Sequence, residues 1–264
     1  MENFVSLLLF TFTAQTAIGL ILSRQIMLTT GSFLRSDEAA VRSNYLITAL
    51  LLLAMATAFL HLHKPLHSIY ALNNIKSSPL SMEIASLSFL TGVSVLAVIL
   101  MRRGSAGVFS ALLLPIAVVV GALALLFTMT AIYMVPAVPA WYRPLTPLSF
   151  ILTTFSAGPA VMGALVMRHD RVSGIRLMGV AVAGILSLAA AVLISVPTDN
   201  LLFILLIGLQ VLTAALPAFL IFLYAPGSPM NKKHHLTVIT TVLILISGIV
   251  ARLLFFLSFD NNIL

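Results

Sequence analysis

The chain has 264 residues, 61% of them hydrophobic and only 8% charged, against about 25% charged in ordinary soluble domains. With a mean hydropathy of +1.15, so few charges cannot cover the surface of a soluble globule, and the composition is that of an integral membrane protein. Eight membrane helices of about 20 residues each would use up the apolar share. Little chain is left for a soluble domain, so residues 1–264 read as a single transmembrane domain and any aqueous enzyme lies on another chain. Cysteine is absent, which excludes iron–sulfur ligation, thiolate zinc sites, disulfides and thiol nucleophiles. The net charge of +7 reads as a topology signal. Basic and aromatic residues are not interleaved as a nucleic-acid surface requires.

In chain order the apolar runs predict spans at 4–22, 44–62, 79–101, 108–135, 148–167, 176–196, 201–224 and 236–257. They are too long for soluble strands, and the alternating segments of a membrane barrel are missing. The fold class expected is all-α, a polytopic helix bundle. The first span begins Met1-Glu2-Asn3, with an acid where a cleaved signal peptide carries basic residues, and is expected to be a retained helix. The connection 63–78 holds several polar clusters, and 136–147 contains four prolines with Trp141 and Tyr142, residue types that favour the headgroup level. No internal repeat of the kind that builds inverted-repeat transporters is visible.

Basic residues orient the bundle. Arg24, Arg35, Arg42, Arg102, Arg103, Arg168, Arg171, Arg176, Lys232 and Lys233 fall on one side; only Lys64, Lys76 and Arg143 fall on the other. Under the positive-inside rule this places both termini outside the cytoplasm and requires an even number of spans.

The polar residues are few enough to weigh singly. A haem inside a bundle needs histidines facing each other from helix interiors. Of the six histidines only His61 lies within a span, at its last turn, so neither haem nor metal is expected. The outward end of the second span reads Phe59-Leu60-His61-Leu62-His63-Lys64-Pro65-Leu66-His67, and the third begins Ser78-Pro79-Leu80-Ser81-Met82-Glu83. Both reach the same interface, where a histidine and a carboxylate could face one lipid-accessible cleft. That pair suits quinol oxidation, because each hydroxyl must lose a proton as its electron leaves. Neutral histidine accepts a proton near neutral pH, and a carboxylate can relay it to water. A plainer reading stands beside it: histidines at helix ends suit the headgroup layer, and Glu83 suits the dipole of a first turn. Arg252, inside the eighth span, either snorkels to the interface or meets a quinol oxygen or Glu83. Gln15 and Gln210 are expected to bond between helices.

The stretch from His61 to Leu66, then Leu72-Asn73, then Leu80-Ser81-Met82-Glu83-Ile84 resembles the membrane anchor subunit of anaerobic dimethyl sulfoxide reductase. That family carries His-Leu-Gly-x-Pro, Leu-Asn and Leu-Ser-x-Glu-Ile in this order. Gln15, Val138-Pro139-Ala140-Trp141-Tyr142, Thr146-Pro147, Gly158-Pro159 and Arg252 agree as well. The resemblance implies a haem-free, eight-helix anchor in the bacterial inner membrane that binds menaquinol as substrate and oxidises it during anaerobic respiration. Its electrons would pass to an iron–sulfur subunit and on to a molybdopterin catalytic subunit. The family's quinol-site histidine falls on His61 and its glutamate on Glu83; His63, Lys64, Arg252 and Gln15 are expected to help bind the quinol. The chain departs from the pattern at His63, where the motif has glycine, at Gly248, where some members have an acid, and at Thr130–Tyr133, which lacks an arginine. A secondary transporter and a purely structural anchor without a quinol site are the other readings.

Overall fold

The computed structural model describes residues 2–31, 38–61, 74–75, 77–104, 109–139, 141–195, 200–222 and 230–260. Among the described residues there are eight α-helices and no strand: α1 (Glu2–Thr29), α2 (Glu38–His61), α3 (Pro79–Arg102), α4 (Leu114–Tyr133), α5 (Leu145–Val166), α6 (Arg171–Ser195), α7 (Leu201–Phe222) and α8 (Met230–Asp260). All eight are long and apolar enough to cross a membrane. Hydrocarbon offers no water to backbone groups, so each spanning segment must bond its own N–H and C=O groups, as a helix does. Many hydroxyls inside the spans follow the same rule. Thr16 donates to the Phe12 carbonyl at 2.8 Å and Thr154 to that of Phe150 at 3.0 Å, each one turn back. Eight passes bring both termini to one face of the bundle, here called the termini face.

Sequence signals mark several helix ends correctly. Ser78 caps α3, its hydroxyl accepting from the Ser81 N–H, and Pro79 follows in the first turn. Asp170 caps α6 by accepting from the Ser173 N–H at 3.1 Å. Hydrogen bonding from Ser173 holds the Asp170 carboxyl below the usual carboxylate range.

Other ends differ from expectation. α1 runs on to Thr29 and α2 starts at Glu38, because hydropathy marks the hydrocarbon-embedded part alone while a helix continues into the polar layer. There, Glu38 and Arg42 pair across one turn. The fourth span is expected from 108, yet α4 begins at Leu114 after a π-helical turn, Phe109–Leu113. Pro115 has no N–H to continue an α-helical ladder backward, and the wider turn absorbs the break.

α1 is the most buried span and packs against α2, α4, α5 and α8, while α5 touches α1, α2, α4, α6 and α8. One core, including Phe10, Ile18, Leu51, Leu90, Leu125 and Phe150, joins α1 to α5. A second, including Ala160, Met178, Ile185, Phe203 and Leu254, joins α5 to α8. α5 and α8 contribute to both: Met162 and Phe256 to the first, Ala160 and Leu254 to the second. Leu60, Phe127 and Ile194 point outward, each 70% or more exposed, as side chains facing lipid do.

α1 and α5 meet backbone to backbone. A Cβ on Gly19 would lie 2.0 Å from the Thr154 carbonyl oxygen, and one on Gly158 would lie 2.1 Å from the Gly19 carbonyl carbon. Such small-residue contacts let membrane helices gain dispersion energy where water supplies no driving force. Gly19→Ala and Gly158→Ala should therefore each destabilise the purified chain by about 1–3 kcal/mol in unfolding titrations, the usual range for overpacking. Gly179→Ala and Gly208→Ala, with open space at the Cβ position, should be neutral or mildly stabilising. Equal effects at all four positions would contradict this contact.

Candidate functional site

The termini face gathers the end of α2, the start of α3, the end of α4, the start of α5 and the ends of α6 and α8. α2 carries His61 as its last residue. His63 and Lys64, expected to help bind quinol, and His67 lie outside the described residues. α3 begins with a capped turn, which fixes its rotation and turns Ser81, Glu83, Leu87, Leu90, Thr91 and Ser94 inward. Glu83 is 7% exposed, one turn into the helix. Its Oε1 has no hydrogen-bond partner among the described residues. The ion pairs among those residues are Arg42–Glu38 and His169–Glu38, both at the opposite end of the bundle. Glu83 and Arg252 therefore form no ion pair, contrary to one of the two readings of Arg252.

The snorkelling reading of Arg252 also gives way, because the side chain is 1% exposed. α8 turns it inward against the first turns of α5. There its Nη2 donates to the Ser149 carbonyl at 2.9 Å and to the Thr153 hydroxyl at 3.0 Å. Its guanidinium carbon sits 3.9 Å from the centre of the Phe150 ring, a cation–π contact that gains strength out of water. Nε and Nη1 have no partner among the described residues.

Between Glu83 and Arg252 stands an aromatic cluster. Tyr133, at the end of α4, lies 5.2 Å from Trp141, 5.3 Å from Phe150, 5.5 Å from Phe255 and 5.6 Å from Phe256 between ring centroids. Trp141 stacks on Phe255 at 5.5 Å and donates its indole N–H to the Phe255 carbonyl at 3.2 Å. Tyr133 is within electrostatic range of both Glu83 and Arg252, so it links the two charged residues. Sequence reasoning missed Tyr133, Ser149 and Thr153. The signal available was the recurrence of hydroxyls at Thr146, Ser149 and Thr153, three and four residues apart on one helix face.

Gln15 is fully buried in α1, about 20 Å along the helix from its first residue at 1.5 Å per residue. Glu83 is only about 6 Å into α3 by the same measure. Both side-chain atoms of Gln15, and both of Gln210, lack a hydrogen-bond partner among the described residues. The interhelical bonds expected of them are not formed among the described residues. At Gln210 the backbone carbonyl, not the amide, takes the Ser247 hydroxyl at 3.4 Å. Among the described residues no group of three or more histidines and carboxylates gathers where a metal ion could be held.

Comparison with known proteins places these residues in context. A family model described as the DMSO reductase anchor subunit (DmsC) matches residues 1–258. The chain is 26% identical over 192 residues to the C subunit of anaerobic dimethyl sulfoxide reductase from Escherichia coli, covering 72% of this chain and 67% of that one. It is 25% identical over 165 residues to the protein of the same name from Haemophilus influenzae, covering 62% of this chain and 59% of that one.

Phe150 joins the two halves of the site, being fully buried and in contact with both Tyr133 and Arg252. Phe150→Ala should cost about 3–5 kcal/mol, as for other large buried aromatics. It should also shift and broaden the emission of Trp141, the sole tryptophan, as the cluster loosens. A variant with unchanged stability and an unchanged emission maximum would show that the cluster does not organise this region.

Proposed function

The chain belongs to the DmsC family of dimethyl sulfoxide reductase anchor subunits, and from that premise we propose that it binds and oxidises menaquinol. The reaction takes place at the outer face of a bacterial inner membrane, and the electrons pass to an iron–sulfur subunit and then to a molybdopterin catalytic subunit. The observation that carries this reading is Glu83, a carboxyl buried at the termini face with no hydrogen-bond partner at Oε1 among the described residues. An ionisable residue left unsatisfied within a membrane span marks a path for protons or ligands.

Oxidation of the quinol to the quinone releases two electrons and two protons. In this reading the His61 imidazole accepts a hydroxyl proton, and Glu83 relays protons toward the outer aqueous phase. Carboxylate and imidazole thus act as general bases while the electrons leave one at a time. The chain has no cysteine and so offers no iron–sulfur ligation of its own; the electrons leave to a partner. The aromatic cluster beside Glu83 supplies flat apolar surface for the quinol ring. His63 and Lys64 follow closely on His61 in sequence, and in this reading they help bind the quinol. Gln15, far deeper along its helix, contacts the isoprenoid side rather than the reacting oxygens.

Topology supports the placement. Ten basic residues lie on the side opposite the termini and three on the termini side, so both termini and the proposed site are outside. Reporter fusions after Arg103 and after Lys233 should read cytoplasmic. A periplasmic signal at either would move His61 and Glu83 to the inner leaflet.

The site itself is tested by His61→Ala and Glu83→Gln in the assembled complex. General acid–base groups contribute about 10²–10⁴-fold, and each variant should lose quinol-linked activity on that scale. Activity from an artificial donor that feeds the iron–sulfur subunit directly should stay intact. The double variant should be little worse than the slower single one, since the two residues act in one path. His67→Ala should behave as wild type. Normal quinol-linked rates in both single variants would refute the site. Equal loss with both donors would assign the residues to assembly and leave a structural anchor.

A further inference from the structure

We propose that the cavity between the termini-face ends of α5, α6 and α8 binds a phosphate group, with Arg252 as its buried anchor. The cavity is about 50 Å³ and is lined by Arg143, Ser149, Thr153, Ser195, Arg252 and Ser258 among others. Glu83 does not line it, and no carboxylate among the described residues does. The site is therefore distinct from the proposed proton path, and the two proposals stand or fall separately.

Three observations lead to an anion. The first is electrostatic. Arg252 is a cation taken out of water with no counter-charge among the described residues, a state that costs several kcal/mol unless an anion answers it. The ring face of Phe150 and two oxygen acceptors compensate only in part.

The second is geometric. Nη2 is spent on Ser149 and Thr153, while Nε and Nη1 remain without a partner among the described residues. Those two atoms carry three of the five N–H hydrogens of the guanidinium, so the described residues leave most of its donor capacity unused.

The third is the company Arg252 keeps. Arg143 is exposed and lines the same cavity, adding a second positive charge, and the Thr153 hydroxyl, which donates to the Ser149 carbonyl, holds Arg252 in place by accepting from its Nη2. Leu188 and Val192 of α6 form the apolar wall. A phosphate on this site would sit at headgroup depth with hydrocarbon beside it. Basic pockets between membrane helices hold anionic lipid headgroups in this way. Free phosphate presents the same oxygens.

A neutral quinol is the weaker match. It would supply one carbonyl or hydroxyl oxygen and leave the charge of Arg252 unanswered.

Native mass spectrometry of the full chain, with the subunits that co-purify, tests the site with four probes: phosphatidylglycerol, a glucosyl diacylglycerol of the same acyl chains and no phosphate, inorganic phosphate, and a menaquinol analogue. Wild type should retain phosphatidylglycerol at least about tenfold better than the glycolipid, the scale of one charge-assisted hydrogen bond or more. Arg252→Gln and Arg143→Gln should each reduce that preference, and Thr153→Val should reduce it less. Retention that millimolar inorganic phosphate does not displace identifies the ligand as a lipid headgroup. Inorganic phosphate bound by wild type and lost in Arg252→Gln identifies free phosphate; either result supports the site. Should Arg252→Gln fail to accumulate, the exposed Arg143→Gln decides the matter. No preference for phosphatidylglycerol over the glycolipid, with no phosphate bound, overturns the proposal. So does a preference unchanged in the variants, or displacement of the lipid by the menaquinol analogue.

Discussion

The backbone contact of α1 and α5 at Gly19 and Gly158 governs where the other helices can stand. With no Cβ on either side, α5 is drawn into the middle of the bundle and contributes to both cores. Pro159 follows immediately and lacks an N–H, so the Phe155 carbonyl loses its partner within the helix. Gly184 of α6 comes close to that same carbonyl, and Thr241 of α8 donates to the Ala160 carbonyl at 3.1 Å. Held from three sides, α5 presents Phe150, Ser149 and Thr153 at the termini face in fixed positions. Arg252 can be buried because that face is already built.

The low dielectric of a membrane makes every buried polar atom consequential, since a partner is worth more there and its absence costs more. Most hydroxyls in the spans meet the requirement locally by bonding one turn back, though those of Thr91, Ser94 and Thr240 have no partner among the described residues. The larger polar side chains do not. Arg252 is half satisfied, and Glu83, Gln15 and Gln210 keep atoms without partners among the described residues. They are not clustered: Glu83 and Arg252 form no ion pair, and Gln15 lies much deeper along its helix.

Much of this was legible in the sequence. Apolar runs of membrane-spanning length gave all eight helices, and the Ser78-Pro79 cap set the rotation that turns Glu83 inward. Helix ends were less legible, because hydropathy follows the hydrocarbon and not the hydrogen-bond ladder; α1 and α2 extend past it, and Pro115 delays α4. The fate of Arg252 was not legible at all. Its partners are a backbone carbonyl and a hydroxyl 103 and 99 residues away, and nothing in the local pattern of α8 announces them. Tyr133 was hidden for a similar reason. It looks like one more aromatic near a proline-rich loop until the helices close around it.

Family membership accounts for an anchor in a multisubunit reductase, and the buried Glu83, whose Oε1 has no partner among the described residues, is what turns that anchor into a candidate for chemistry. The central claim is that this carboxyl changes its protonation as the quinol is oxidised. Redox-triggered infrared difference spectroscopy of the assembled complex reads that change directly. The account predicts a carboxyl band that appears on quinol oxidation, shifts in heavy water and vanishes in Glu83→Gln, while the quinone bands remain. Quinone bands accompanied by no carboxyl change in the wild-type complex, or by a carboxyl band that persists in Glu83→Gln, would contradict it.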